Sequence, residues 1–102
     1  MARFLNSKQI YVETVTIAAA GTAQQATSAN VPDGQSIVFR AHPSNTGTIK
    51  ISDTAAKAQA SAGEGNIPLA GGEAMVYQIT DPSIPYIDAT VAGEKCIVTM
   101  EF

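Results

Sequence analysis

Few side chains in this 102-residue sequence are suited to chemistry: one histidine, one cysteine and nine carboxylates. His42 has no second His or Cys beside it in sequence. A metal site there would have to gather several carboxylates from loops, whereas zinc sites use clustered ligands. Its place before Pro43 fits a turn cap or the polar face of a strand. Cys96 alternates with Val98 and Met100, and a free cysteine packs as a small hydrophobe. A nucleophile would want an electropositive, partly exposed site, so Cys96 is expected in the core. The carboxylates (Glu13, Asp33, Asp53, Glu64, Glu73, Asp81, Asp88, Glu94 and Glu101) fall mainly in turns or on outward strand faces. A glycosidase pair needs two of them held ~5–10 Å apart in a cleft, and the chain has three Tyr, three Phe and no Trp to form a sugar platform. Asp53 with Glu64 lacks the ligand spacing of a calcium loop. Gly63-Glu64-Gly65 and Gly71-Gly72 are not followed by the Gly-Lys-Ser/Thr of a phosphate cradle. The residues therefore predict no catalytic, cofactor or metal site, and no enzyme.

The elements that carry these side chains read as strands. The chain has seventeen Val plus Ile, ten Thr and two Leu. β-Branched side chains lose rotamer freedom in a helix and pack well on a pleated sheet. Residues 9–17 form a first strand with apolar residues on both faces, which implies a covering partner or a bulge. Residues 22–30 alternate weakly and read as a strand. Residues 35–42 place Ile37, Phe39 and Ala41 on one face, with Ser36, Arg40 and His42 on the other together with Val38. Residues 48–52 put Ile49 and Ile51 inward, and Thr48, Lys50 and Ser52 outward. Residues 74–80 align Met75, Tyr77 and Ile79. Residues 86–91 set Ile87, Ala89 and Val91 against Tyr86, Asp88 and Thr90. Residues 95–102 put Cys96, Val98, Met100 and Phe102 inward, with Lys95, Thr99 and Glu101 opposite alongside Ile97. Pro32-Asp33-Gly34 and Ala92-Gly93-Glu94 are turn signals.

That pattern predicts an all-β fold: an antiparallel β-sandwich, jelly-roll-like or Greek key, of about seven strands, or eight if residues 67–69 count. Residues 1–8 read as an N-terminal arm and 9–102 as a single domain. The longest non-strand segment, 53–66, is expected to be a flexible loop whose first half could turn helically from a cap at Asp53.

The formal charge is −3, and the six basic residues (Arg3, Lys8, Arg40, Lys50, Lys57 and Lys95) are scattered. A nucleic-acid binder normally shows a basic stripe, so no nucleic-acid partner is expected. No stretch approaches the ~20 apolar residues that span a bilayer. Residues 1–8 lack the apolar run of a signal peptide, and one cysteine excludes an intrachain disulfide. The expectation is a protein made and kept in the cytoplasm or assembled there into something larger.

From Val31 to Phe102, with a β-rich segment ahead of it at 12–23, the order of pieces resembles a type of small tailed-phage virion protein. The pieces are Ser-Ile-Val-Phe-Arg-Ala (36–41), Asn-Thr-Gly-Thr-Ile-Lys-Ile-Ser-Asp (45–53), Ile-Pro-Leu-Ala-Gly-Gly-Glu (67–73), Ile-Pro-Tyr-Ile-Asp-Ala (84–89) and Gly-Glu-Lys-Cys-Ile-Val-Thr (93–99). Each is generic, and the order carries the likeness. The resemblance implies a structural protein of the phage particle. Capsid decoration (cement) proteins among these bind the outside of the shell, formed by the major capsid protein, commonly as trimers. On that basis the expected partners are the major capsid protein and copies of the chain itself, with a trimer favoured. The expected interface residues are Phe4 and Leu5 in the arm and Ile10, Tyr11 and Val12 in the first strand. A head–tail connector, neck or tail accessory protein is the structural alternative. A carbohydrate-binding module, with Tyr11, Tyr77 and Tyr86 as its candidate aromatics, is an alternative of another class.

Overall fold

A computed structural model describes residues 10–101. The elements are β1 (Ile10–Ile17), β2 (Ile37–Ala41), β3 (Thr48–Ser52), α1 (Ala55–Gln59), β4 (Ile67–Ala70), β5 (Ala74–Tyr77), β6 (Tyr86–Ala89) and β7 (Glu94–Glu101). They form two antiparallel sheets, of order β1-β7-β2-β5 and β4-β3-β6.

This is the β-sandwich the alternation predicts, and its path is a jelly roll. In such a path the chain passes back and forth between the two sheets, and here, among the described residues, the only strands consecutive in sequence that lie side by side in one sheet are β3 and β4. Here the second sheet lacks a full fourth strand beside β6. Residues 22–30 run there instead and pair through a single bridge, Gln24 to Ile87. Both bonds of that bridge form, Gln24 N–H to Ile87 O at 2.7 Å and Ile87 N–H to Gln24 O at 2.8 Å. The expected strand over 22–30 is therefore reduced to one bridge, because its small polar residues offer little side-chain packing. Residues 67–70, with β-branched Ile67 and inward Leu69, do form a strand.

Side chains at alternate positions meet between the sheets. Val15, Ile17, Ile37, Phe39, Ala41, Cys96, Val98 and Met100 enter from the four-stranded sheet, and Ile49, Ile51, Leu69, Ile87 and Ala89 from the three-stranded one. Ala26 and Val31 close the side of the core. The Tyr77 ring meets Phe39 edge-on, with centroids 5.4 Å apart. β6 ends at Ala89, so Val91, expected inward, is exposed. β1 pairs with β7 in continuous register from Ile10 to Ile17, so no bulge explains its two apolar faces.

The segment 53–66 is built rather than loose. α1 is capped by Thr54, not Asp53: the Thr54 hydroxyl accepts from Lys57 N–H. Asn66, buried, ties the rest together. Its amide donates to Lys57 O at 2.7 Å and Ser61 O at 3.2 Å, and its carbonyl accepts from Gly63 N–H at 2.8 Å. α1 packs on β3 and β6 with Ala58 fully buried, so the outward face of that sheet is covered. Lys50 and Asp88, expected at the surface, lie beneath this cover. They are direct cross-strand neighbours, almost wholly buried, with Lys50 Nζ 3.5 Å from Asp88 Oδ2.

Candidate interaction surfaces

The side chains suited to chemistry serve the scaffold. His42 Nδ1 accepts from Ser44 N–H at 3.1 Å and holds the turn at Pro43. Cys96 is fully buried, and desolvation pushes its thiol up to about 12. Glu94, also buried, receives the N–H groups of Thr46 and Gly47 on one carboxylate oxygen. Gly47 has no room for a side chain there, since a Cβ would lie 2.8 Å from Val91 Cγ2. Asp81 accepts from Ser83 N–H and both the Ser83 and Ser28 hydroxyls, and these bonds hold its carboxyl down at about 2. That cluster pins residues 28–29 to the 81–83 turn. Glu13 does the same one step earlier, accepting from Thr27 N–H at 2.9 Å and from its hydroxyl at 2.8 Å. Asp53, exposed, is held below the usual carboxylate range by its bond from Ser52 and by the Lys57 cation. Among the described residues no three of His, Cys, Asp and Glu gather where they could hold a metal ion. No helix among them is long and apolar enough to cross a membrane.

Of the expected interface residues, Phe4 and Leu5 lie outside the described residues. Ile10, Tyr11 and Val12 form the N-terminal half of β1, an edge strand of the four-stranded sheet. Ile10 is 67% exposed and Val12 56%. Ile10 and Val12 point to the outer face and Tyr11 to the other, so the edge is apolar on both sides.

The register extends this surface. Val12 pairs with Thr99, Thr99 with Val38, and Val38 with Val76. These four residues form one row across the outer face of the sheet, about 14 Å from first to last strand at the usual strand spacing. Val76, at the far edge, is 58% exposed. The next row is Thr14, Ile97, Arg40 and Ala74. In sequence, Val38 and Ile97 each stand out as one apolar residue on a polar face, and Val12 shares its face with Ile10. Register brings them together with Val76, which stands on the face opposite Met75, Tyr77 and Ile79.

The second surface is concave. A cleft of about 440 Å³ opens where the end of β3 and the start of β4 meet the segment after β5. Ile51, Ile67, Tyr77, Ile79, Ile84 and Pro85 supply its apolar wall, with Asp53 and Asn66 on the lip. Ile84 is 51% exposed and Ile67 38%. Sequence reasoning did not see this site, because its residues come from four separate segments. The three tyrosines do not share a platform: Tyr11 is on β1 at one edge of the larger sheet, Tyr77 on β5 at the other, and Tyr86 in the smaller sheet.

These features define a jelly-roll β-sandwich with exposed apolar surfaces. No protein-family model matches the chain, and no curated protein matches it. Among solved structures, a chain from the disulfide-linked pili of Bacillus endospore appendages is similar at 22% identity and a TM-score of 0.44, over 95% of this chain and 90% of that one.

Proposed function

We propose that this chain is a structural virion protein, a capsid decoration protein that binds the assembled shell of a tailed phage from outside and stabilises it, with no catalytic role. The observation that carries the reading is the row Val12–Thr99–Val38–Val76, three valines and a threonine, across a sheet face that no other described element covers. Exposed apolar patches of this kind mark association surfaces on small domains. A protein that binds only the assembled shell stabilises that state by mass action, and this calls for a contact face rather than a pocket. The jelly-roll path and the order of sequence pieces from 31 to 102 support the same reading. The assembling form is a homo-oligomer, a trimer on the family resemblance.

The test is binding to purified, emptied phage shells. The expected result is saturable binding on the shell exterior and a higher shell melting temperature. Val76→Asp, a change at an exposed edge position, should weaken binding at least tenfold without unfolding the free protein. A stoichiometry confined to one vertex would replace decoration with a connector or neck role. Absence of the chain from virions by mass spectrometry would refute the reading outright.

A further inference from the structure

The end of the sandwich where β1 begins is also the end where the apolar cleft opens. Tyr11 pairs with Met100, Met100 with Ile37, and Ile37 with Tyr77, so one row of the larger sheet runs from the start of β1 to the cleft wall. Three strand spacings put its two ends about 14 Å apart. Ile10 stands one residue beyond that row, and the chain ahead of it departs from this end. A shallower cleft of about 240 Å³ lies beside Pro32, Asp33 and Gln35, just ahead of β2, which stands between β1 and β5 in the sheet. Ile79 lines both clefts, so they adjoin. We propose that Phe4 and Leu5 of the N-terminal arm dock in the Ile67–Tyr77–Ile84 cleft of their own chain and cover the apolar wall that the sandwich leaves open. The inference does not rest on shell binding, and either can fail without the other.

Three arguments select the chain's own arm as occupant. The first is reach. Leu5 stands five residues before Ile10 and Phe4 six. At ~3.3–3.6 Å per extended residue these positions reach up to about 17 and 21 Å from Ile10, enough to span the width of the sheet. A residue within three positions of Ile10 reaches only about 10 Å and falls short. The second is the order of chemistry. From Ile10 backwards the arm reads Gln9, Lys8, Ser7 and Asn6, all polar, and then the apolar pair Leu5 and Phe4. The surface repeats that order. The shallow cleft is lined by Asp33, Gln35, Gln78 and Thr80, and the apolar wall of Ile67, Ile79 and Ile84 follows. The third is the tether. A segment on a short flexible link stands at its own site at an effective concentration of ~1 mM, so it displaces any free partner of equal affinity present below that level.

The experiment is methyl NMR on the full-length chain. The native protein should show nuclear Overhauser contacts from the Phe4 ring to the Ile67 and Ile84 methyl groups. These should persist on dilution, and an isotope-filtered measurement on mixed labelled and unlabelled chains should find none between molecules. A second sample is the full-length Phe4→Ser, Leu5→Ser variant, whose changes precede the sandwich in sequence and spare its core. A synthetic peptide of residues 1–9 should shift the Ile67 and Ile84 methyl signals of this variant. With an arm at ~1 mM effective concentration, a peptide that binds the variant at ~0.1 mM should bind the native chain about tenfold more weakly. Equal binding to both chains overturns the inference, because the native cleft would then be open. Ring contacts found only between molecules overturn it in favour of a second copy. The absence of any Phe4 contact to the cleft overturns it directly, as does a peptide that leaves the variant's methyl signals unmoved.

Discussion

Replacing Asp88 with alanine should be the most damaging single change in the outer layer of the smaller sheet. Asp88 is fully buried and Lys50 nearly so, and the carboxylate receives the Gly21 N–H on Oδ1 at 3.0 Å while Oδ2 faces the Lys50 ammonium at 3.5 Å. Lys50 also donates to Ala60 O at 2.8 Å, just past α1. The pair thus fastens three things: the two strands that bear it, the chain at Gly21, and the helix that covers them. Removing the carboxylate leaves an ammonium buried with one carbonyl partner and no counter-charge. Breaking a buried pair this way costs about 3–5 kcal/mol, a large share of the ~5–15 kcal/mol that holds a domain together. At ~4–8 °C per kcal/mol for a domain near this size, the melting temperature should fall by roughly 12–40 °C in a calorimetric scan. The Lys50→Met, Asp88→Leu double variant removes both charges and should recover most of that loss. A fall of less than about 1 kcal/mol for Asp88→Ala, or a double variant no better than the single, would refute the argument that the charge left behind sets the cost.

Two further outcomes follow from titration. The Cys96 thiol, raised to about 12 by burial, should resist a disulfide-exchange reagent at pH 8 in the native protein and react at once in denaturant; rapid native labelling would contradict its place in the core. Because its folded value lies above the ordinary 9.0, whatever stability it contributes is complete below about pH 9 and declines as pH rises toward 12. Asp81 runs the other way. Its carboxyl sits at about 2 against an ordinary 3.8, so its contribution is complete above pH 3.8 and is lost as pH falls toward 2. Asp81→Asn should flatten the acid limb of the stability curve in that window, and an unchanged limb would show that the Ser28 and Ser83 bonds do not tie residues 28–29 down.

The alternation of apolar residues in 37–41, 48–52 and 94–101 was enough to place the core, because a half-buried strand writes its inward face into the sequence with period two. Ile37, Phe39, Ile49, Ile51, Cys96 and Val98 are all inside. The pattern misled where a third layer covers a polar face. Lys50 and Asp88 alternate as outward residues, and they do point outward, but α1 lies over them. Nothing local in sequence announces that, since the short Ala-rich segment 55–60 reads equally as loop. Residues 22–30 misled in the opposite sense. They occupy the position of a strand and are held there by the side chains of Glu13 and Asp81 rather than by a ladder. The cleft was illegible for a different reason: Ile51, Ile67, Tyr77 and Ile84 converge only through the crossings between sheets.

The two outer faces of the sandwich carry the last step. The three-stranded face spends α1 and a buried ion pair on covering itself, and its outward residues on β3 and β6 are polar. The four-stranded face has no such cover among the described residues, yet it bears Val12, Val38, Val76 and Ile97, each at a position where alternation would place a polar side chain. Solvated faces need no β-branched row. A stripe that persists across all four strands, beginning at an edge that is apolar on both sides, makes physical sense when that face is buried in an assembled state. The edge strand makes the same point, because an exposed apolar edge left open would pair indiscriminately. The charged or proline residues that blunt such edges do not occur from Ile10 to Val12, which is the feature the proposed shell contact would use.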